Sequence, residues 1–278
     1  MRSSSPPLLI LTTALLCFLA EALQPHLTTA PTTAPSTFFY FTRSWSASFC
    51  LLDRSADQPA CSKASDRFTI HGLWLSCSNG GWPDEDSCPG DSYDSSTVSS
   101  LQPALQQQWP SYGDKGNDAF WNHEWTCHGI CAGLVDRNLS TQADFFQTVL
   151  GLDSQYSLDA LAQQLQTTLD QAMPTADLVH QATGILGAAP ILTCYYRHGT
   201  AYLNSVMSCF SDDLTLVDCQ PSRESCGTSR VVVPSINGGA HAHNVSGSST
   251  QRSSHHRTLK SDSRGCAVSQ ISCSLPGL

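Results

Sequence analysis

Positive charge is scarce in this chain. Lys and Arg total 14 against 23 Asp and Glu, a net charge of −9, and charged residues make up only 13% of the 278 positions. That balance excludes long-range attraction of polyanions at neutral pH. An anionic ligand must be captured locally, or at lower pH where the ten histidines begin to charge. Beyond the first twenty or so residues there is no apolar run long enough to cross a bilayer, so no membrane partner is expected. No internal repeat is evident.

The N-terminus indicates the compartment. Arg2 precedes an apolar stretch from Leu8 to Ala20, and Ala20-Glu21-Ala22 reads as a small-x-small cleavage site. This is the pattern of a secretory signal peptide, residues 1–22, too short and wrongly flanked for a stable span. Of thirteen cysteines, Cys17 falls in that leader, leaving an even dozen for disulfides in an oxidising compartment. Asn138-Leu-Ser140 and Asn244-Val-Ser246 are glycosylation sequons. The expected destination is outside the cell, or a vacuole or lysosome reached by the same route.

Residues 23–37 form a Thr/Pro-rich lead-in without apolar period. Residues 38–236 carry the aromatic, β-branched and cysteine-rich texture of one domain with a sizeable core. Residues 237–278 are a Gly/Ser/His-rich tail, expected to lack a packed core. Its Cys266 and Cys273 could close a loop of their own, and its histidines read as solvated. Strands are predicted at Phe38–Phe41, Arg67–Leu73, Ile191–Arg197, Tyr202–Cys209 and Arg230–Val233. Helices are predicted at Ser96–Gln108, Ala119–Cys131, Ser140–Leu150, Leu158–Ala172 and Ala176–Leu186, with Ser140 and Ser157 as N-caps and Pro174 ending the fourth. Helices in the middle and strands at both ends make an α+β pattern.

Chemistry concentrates in Phe120-Trp-Asn-His-Glu-Trp-Thr-Cys-His-Gly-Ile-Cys131. On a regular helix Phe120, Glu124, Cys127, His128 and Cys131 share one face with His123 at its edge, an unusual stripe for core packing. A second island, Phe68-Thr-Ile-His-Gly-Leu-Trp-Leu75, ends a strand with His71 followed by Gly72, where a backbone or ligand can approach closely. A lone histidine there is more often structural; facing His123 and His128 it would suit acid–base phosphodiester cleavage. One imidazole takes the proton of a 2′-hydroxyl and another supplies the departing 5′-oxygen. Glu124 could raise or orient a neighbouring histidine. Three other readings stay open: a zinc site from His123, Cys127, His128 and Cys131, a Cys127–His128 nucleophile, and a purely structural helix. Among the aromatics, Trp45, Trp74, Trp121, Trp125 and Phe120 suit the core, while Phe120 and Trp121 are also placed to stack on single-stranded bases.

Together the two islands resemble the active-site segments of the ribonuclease T-two family, secreted acid endoribonucleases related to plant S-ribonucleases. The similarity runs from about Phe38 to Ile236 and includes Trp45 ahead of Cys50 and the Cys226-Gly-Thr-Ser run. The resemblance implies an α+β fold with a central antiparallel sheet, helices packed around it and stabilising disulfides. It implies metal- and cofactor-free cleavage of single-stranded RNA, with little base specificity, through a 2′,3′-cyclic phosphate. No obligate protein partner is evident in the sequence, so a monomer is expected. It makes His128 the general base, His71 the general acid, His123 a phosphate ligand and Glu124 a stabiliser of the pentacoordinate state. Trp74, Phe120 and Trp121 would be base and wall contacts. It pairs Cys50–Cys61, Cys88–Cys131, Cys194–Cys226 and Cys209–Cys219.

The chain departs from the family where a lysine usually precedes the last active-site histidine: that position is Cys127. The family's proline after the first-motif tryptophan is also absent, since Leu75-Ser76-Cys77 follows Trp74. A bond between Cys77 and Cys127 is the expectation this suggests. An acidic pH optimum is expected. The rivals are a catalytically weak or inactive extracellular RNA-binding or signalling glycoprotein of the same fold and a zinc hydrolase.

Overall fold

The structure, a computed structural model, describes residues 36–52, 59–78, 82–83, 88–220, 225–237, 260–261, 267–268 and 272–273. The signal peptide, nearly all of the lead-in, Asn244 and the tail histidines lie outside these residues. So does Cys266, and of Cys273 only the backbone is described.

A seven-stranded sheet forms the frame. Its strands are β1 (Thr37–Trp45), β2 (Phe68–Cys77), β4 (Ala172–Pro174), β5 (Ile191–Arg197), β6 (Thr200–Phe210), β7 (Leu216–Val217) and β8 (Arg230–Val232). The short β3 (Trp82–Pro83) lies apart, paired with β9 (Ser272–Cys273). β6 is central: β1 pairs with its Ser205–Phe210 half, β5 with Thr200–Met207 on the opposite edge, and β2 lies outside β1. The sheet is mixed, because β6 meets β8 in parallel at Tyr202 and Val232, while its other pairings are antiparallel.

Helices α1 (Ser46–Leu52), α2 (Gln102–Gln108), α3 (Gly116–Glu124), α4 (Ile130–Val135), α5 (Gln142–Gln155), α6 (Asp159–Leu165) and α7 (Thr175–Leu186) complete the α+β fold. α5 starts at Thr141, whose hydroxyl accepts the Asp144 N–H at 3.1 Å, one residue past the expected Ser140 cap. The fourth predicted helix stops at Leu165 instead of Ala172. The chain there turns through Asp170, at φ 62°, to lay Ala172–Pro174 beside β8, so Pro174 opens α7 and ends nothing. Gly187, at φ 87°, closes α7 in the left-handed region that only glycine enters freely.

Two large apolar clusters, with a small third one at Ile191, Met207 and Cys209, fill the interior of the described residues. One packs Phe39, Phe41, Ile70, Leu73 and Leu75 of the sheet against Trp109, Trp121, Trp125, Phe145 and Phe146. The other joins Trp45, Leu192, Leu203 and Val206 to Leu161, Leu165, Leu178 and Leu186 of α6 and α7. Each such side chain removed from water contributes about 1.5–3 kcal/mol before chain entropy is set against it. Four disulfides formed between described residues pin the framework: Cys50–Cys61, Cys88–Cys131, Cys194–Cys226 and Cys209–Cys219. Cys88–Cys131, spanning 43 residues, fastens α4 and matters most for the site. By loop-closure reasoning such a bond is worth about 4 kcal/mol. Cys77 and Cys127 are also disulfide-bonded. The expected bond between those two is not among the pairs formed by described residues.

Candidate active site

β2 holds His71 by a bulge. Thr42 of β1 faces Gly72 and the next residue, Arg43, faces Ile70, so His71 is the extra residue of the ladder. Bulges break alternation and re-aim a side chain, often beside an active site. Here Ile70 and Leu73 both enter the core while His71 is turned out of it, its side chain 41% exposed. The bulge leaves the His71 carbonyl outside the β1 ladder, and the indole of the fully buried Trp109 donates to it at 2.7 Å. Trp121 in turn donates to the Trp109 carbonyl at 2.9 Å. Two buried indoles thus lock the histidine's backbone to α3.

The second island comes from α3 and the turn that follows it. Trp125–Gly129 is a π-helical turn, closed by the Ile130 N–H on the Trp125 carbonyl. Such one-residue insertions gather at functional sites because they reposition side chains without ending the helix. Gly129 lets the Trp125 ring lie against the backbone: a Cβ there would meet that ring at 2.4 Å. The predicted Ala119–Cys131 helix is therefore α3, a π-turn and α4 in series.

The two islands meet face to face. The His71 ring is 5.0 Å from Trp74 and 5.6 Å from Phe120, Trp74 is 5.6 Å from His128, and His128 is 5.7 Å from His123. Glu124, fully buried, accepts the Trp74 indole N–H at 3.0 Å through Oε2, and its Oε1 lies 3.9 Å from His71 Nε2. Gly72 is required for this approach. A Cβ on it would stand 2.0 Å from Glu124 Oε2 and 2.4 Å from Trp74 Nε1. His71 Nδ1 lies 3.3 Å from Ser44 Oγ on β1. His71 is held down at about 4 by desolvation, then by His128 and His123; burial holds His128 down at about 3. Both imidazoles are therefore neutral at neutral pH, and acid is needed to charge either.

Most of the sequence-predicted residues are brought together: His71, His123, Glu124, His128, Trp74 and Phe120 form one cluster of contacting side chains. Trp121 is not an exposed wall. It is 1% exposed and its indole N–H is engaged, so it can offer no face to a base. The sulfur-based alternatives fail, because Cys127 and Cys131 are both in disulfides and supply neither thiolate nucleophile nor zinc ligand. His123, Glu124 and His128 do bring ligand-type atoms within 4.8 Å of one another, with one carboxylate oxygen already taken up by Trp74. Sequence reasoning missed Ser44 and Trp109. The three-residue step from Ile70 to Leu73 inside a strand signalled the bulge, but nothing local marked Trp109 as its partner.

A model of the Ribonuclease T2 family matches residues 36–219. The chain belongs to that family. This ribonuclease is 31% identical over 200 residues to the Extracellular ribonuclease LE of Solanum lycopersicum, a match covering 69% of this chain and 84% of that one. It is 30% identical to Ribonuclease MC of Momordica charantia over 68% of this chain and 96% of the other. Among solved structures it resembles RNase NT in complex with 5′-AMP, with a TM-score of 0.62 at 28% identity over 72% of this chain and 98% of that one. Ribonuclease MC1 from bitter gourd seeds gives 0.59 at 28% identity, covering 70% and 99%. The ribonuclease is thus an RNA-cleaving enzyme. Among its described residues no helix is long and apolar enough to cross a membrane.

Proposed function

We propose that this ribonuclease cleaves single-stranded RNA, with little base preference, by intramolecular transphosphorylation. His128 takes the proton of the 2′-hydroxyl, and the 2′-oxygen attacks phosphorus. The bond from phosphorus to the 5′-oxygen breaks as His71 delivers a proton to that oxygen, leaving a 2′,3′-cyclic phosphate and a free 5′-hydroxyl. His123, exposed at the mouth of the crevice, binds a non-bridging phosphate oxygen. Glu124 orients His71 and Trp74 and favours the imidazolium form as negative charge builds on phosphorus. Phe120 and Trp74 line the crevice for bases. No resident metal is required.

The observation carrying this reading is the convergence of three imidazoles and one buried carboxylate from two distant segments. It disfavours the rival of a non-cleaving RNA-binding glycoprotein, since binding alone would need no such set. Acidic operation follows from the shifts. Neutral His128 and protonated His71 coexist best between about 3 and about 4, and the productive fraction falls as pH rises further. Secretion with a glycan on Asn138 belongs to the same reading, supported by an exposed Asn138 in a short turn. Incubation with poly(U) in EDTA, repeated with His71→Ala and His128→Ala, tests the mechanism. Chelator-resistant cleavage lost in both variants is expected. Binding without cleavage, or activity abolished by EDTA, overturns it.

A further inference from the structure

In the mechanism proposed above His71 protonates the departing 5′-oxygen, and its ring must be held for that transfer. The bulge at Thr42 and Arg43 leaves His71 as the extra residue of the ladder, so β1 offers it no directly opposed neighbour. Ser44 fills that place from two residues further along β1, with its Oγ 3.3 Å from His71 Nδ1. Ser44 is half-buried and paired on both sides, with Thr69 of β2 and Ser205 of β6. Ser205 is buried and its hydroxyl is engaged with that of Thr193 at 2.6 Å. The hydroxyl facing His71 therefore stands on the interior of the sheet, not on a loop. The other ring nitrogen, Nε2, faces Glu124 Oε1 at 3.9 Å, beyond hydrogen-bond range. A proton on Nε2 is attracted there but not tied up.

We propose that Ser44 is the positioning residue of the general acid: its Oγ accepts the Nδ1–H of protonated His71 and so turns Nε2–H toward the departing 5′-oxygen. This rests on the role given to His71 above. As the bond from phosphorus to the 5′-oxygen breaks, its electron pair takes up the Nε2 proton. The N–H electron pair stays on Nε2, leaving a neutral ring that keeps its hydrogen at Nδ1, against Ser44. Among the described residues, the titratable groups facing His71 are Glu124 of α3 and the two histidines His123 and His128. Ser44 adds no charge to that set, so removing its hydroxyl changes the ring's surroundings by one hydrogen bond. A bond accepted from Nδ1–H favours the charged ring, and without it His71 is harder to protonate.

Paired substrates separate this role from a structural one. The dinucleotide UpU needs its leaving oxygen protonated, whereas uridine 3′-(para-nitrophenyl phosphate) releases a phenolate that departs without a proton. His71→Ala tests the assignment of the acid itself. It is expected to lose UpU cleavage and keep most of its rate on the nitrophenyl ester; equal loss on both overturns the acid role, and that of Ser44 with it. Given that contrast, Ser44→Ala is expected to lower kcat on UpU about 10-fold, the order of one neutral hydrogen bond, with KM little changed. Its rate on the nitrophenyl ester should match the parent, which also shows that the variant is folded. The upper limb of its kcat/KM profile on UpU should lie about 0.5–1 pH unit lower. Ser44→Thr keeps a hydroxyl at a strand position that suits threonine, and should restore both rate and limb. UpU cleavage by Ser44→Ala within twofold of the parent, equal loss on both substrates, an unmoved limb, or no recovery with threonine overturns the role of Ser44.

Discussion

Gly72→Ala is the most exacting probe of the crevice, because it adds one methyl group where the two motifs touch. The new Cβ would lie 2.0 Å from Glu124 Oε2, 2.4 Å from Trp74 Nε1 and 3.0 Å from Glu124 Cδ. Non-bonded heavy atoms rest at about 3.5–4.0 Å, so strand or carboxylate must retreat by about 1.5 Å. The retreat breaks the 3.0 Å bond from Trp74 to the buried carboxylate and moves Glu124 away from His71. A hydrogen bond to a charged group contributes about 1.5–3 kcal/mol, and a 1 Å misplacement of reacting groups can cost about 10²-fold in rate. We therefore expect kcat/KM for UpU at pH 4 to fall about 10²-fold, with a lowered melting temperature. Gly151→Ala is the control: nothing lies within 4 Å of its added Cβ, on an exposed position of α5. It should keep full activity and gain about 0.5–1 kcal/mol from reduced chain entropy. If Gly72→Ala keeps kcat/KM within twofold of the parent, the carboxylate's position does not matter to the reaction and the reasoning is wrong.

Other consequences are measurable in the same assays. The kcat/KM profile should decline as pH rises above about 4, because His71 loses its proton there while His128 is already neutral; a rate flat or rising from pH 5 to 8 contradicts the assignment. Phe120→Ala should raise KM by roughly 5- to 150-fold, the value of about 1–3 kcal/mol for one stacked base, with kcat little changed. Trp121→Ala should act on stability, costing about 3–5 kcal/mol in denaturant titrations, since that ring is core. Trp109→Phe keeps most of the packing but leaves the His71 carbonyl without its 2.7 Å donor; a loss of about 1–3 kcal/mol is expected, and an unchanged unfolding midpoint would show that water serves equally well.

The parts of this fold that local chemistry governs were legible. Ile191–Arg197 is a strand with the predicted ends, and β6 and α7 fall within two residues of theirs, because β-branched runs and an amphipathic period bounded by turn residues leave few alternatives. The bounds failed where a distant segment decided them. α6 ends early because β8 claims Ala172–Pro174 as a strand, and no residue near Leu165 announces that pairing. Trp121 illustrates the same limit within the site. Adjacency to His123 suggested a stacking surface, but at one residue from Phe120 the chain points the other way on the helix, into Trp109.

The π-turn carries the larger lesson about the site. A regular helix would place Glu124, Cys127, His128 and Cys131 in one stripe, and that geometry invited zinc and thiolate chemistry. The structure sorts the stripe by environment. Cys131 is held to Cys88 at the start of α4, Glu124 is buried beneath Gly72 and Trp74, and His128 sits in the widened turn facing Trp74 and His123. Both cysteines of the stripe are committed to disulfides, so only the imidazoles and the carboxylate remain to act on substrate. Acid–base chemistry is what those groups can supply, and in the proposed mechanism the lowered proton affinity of His71 and His128, set first by desolvation, ties it to low pH. The scarcity of positive charge in the chain is consistent with the proposed mechanism, in which the His71–His128 pair works in acid, where the chain is also least repulsive to phosphate.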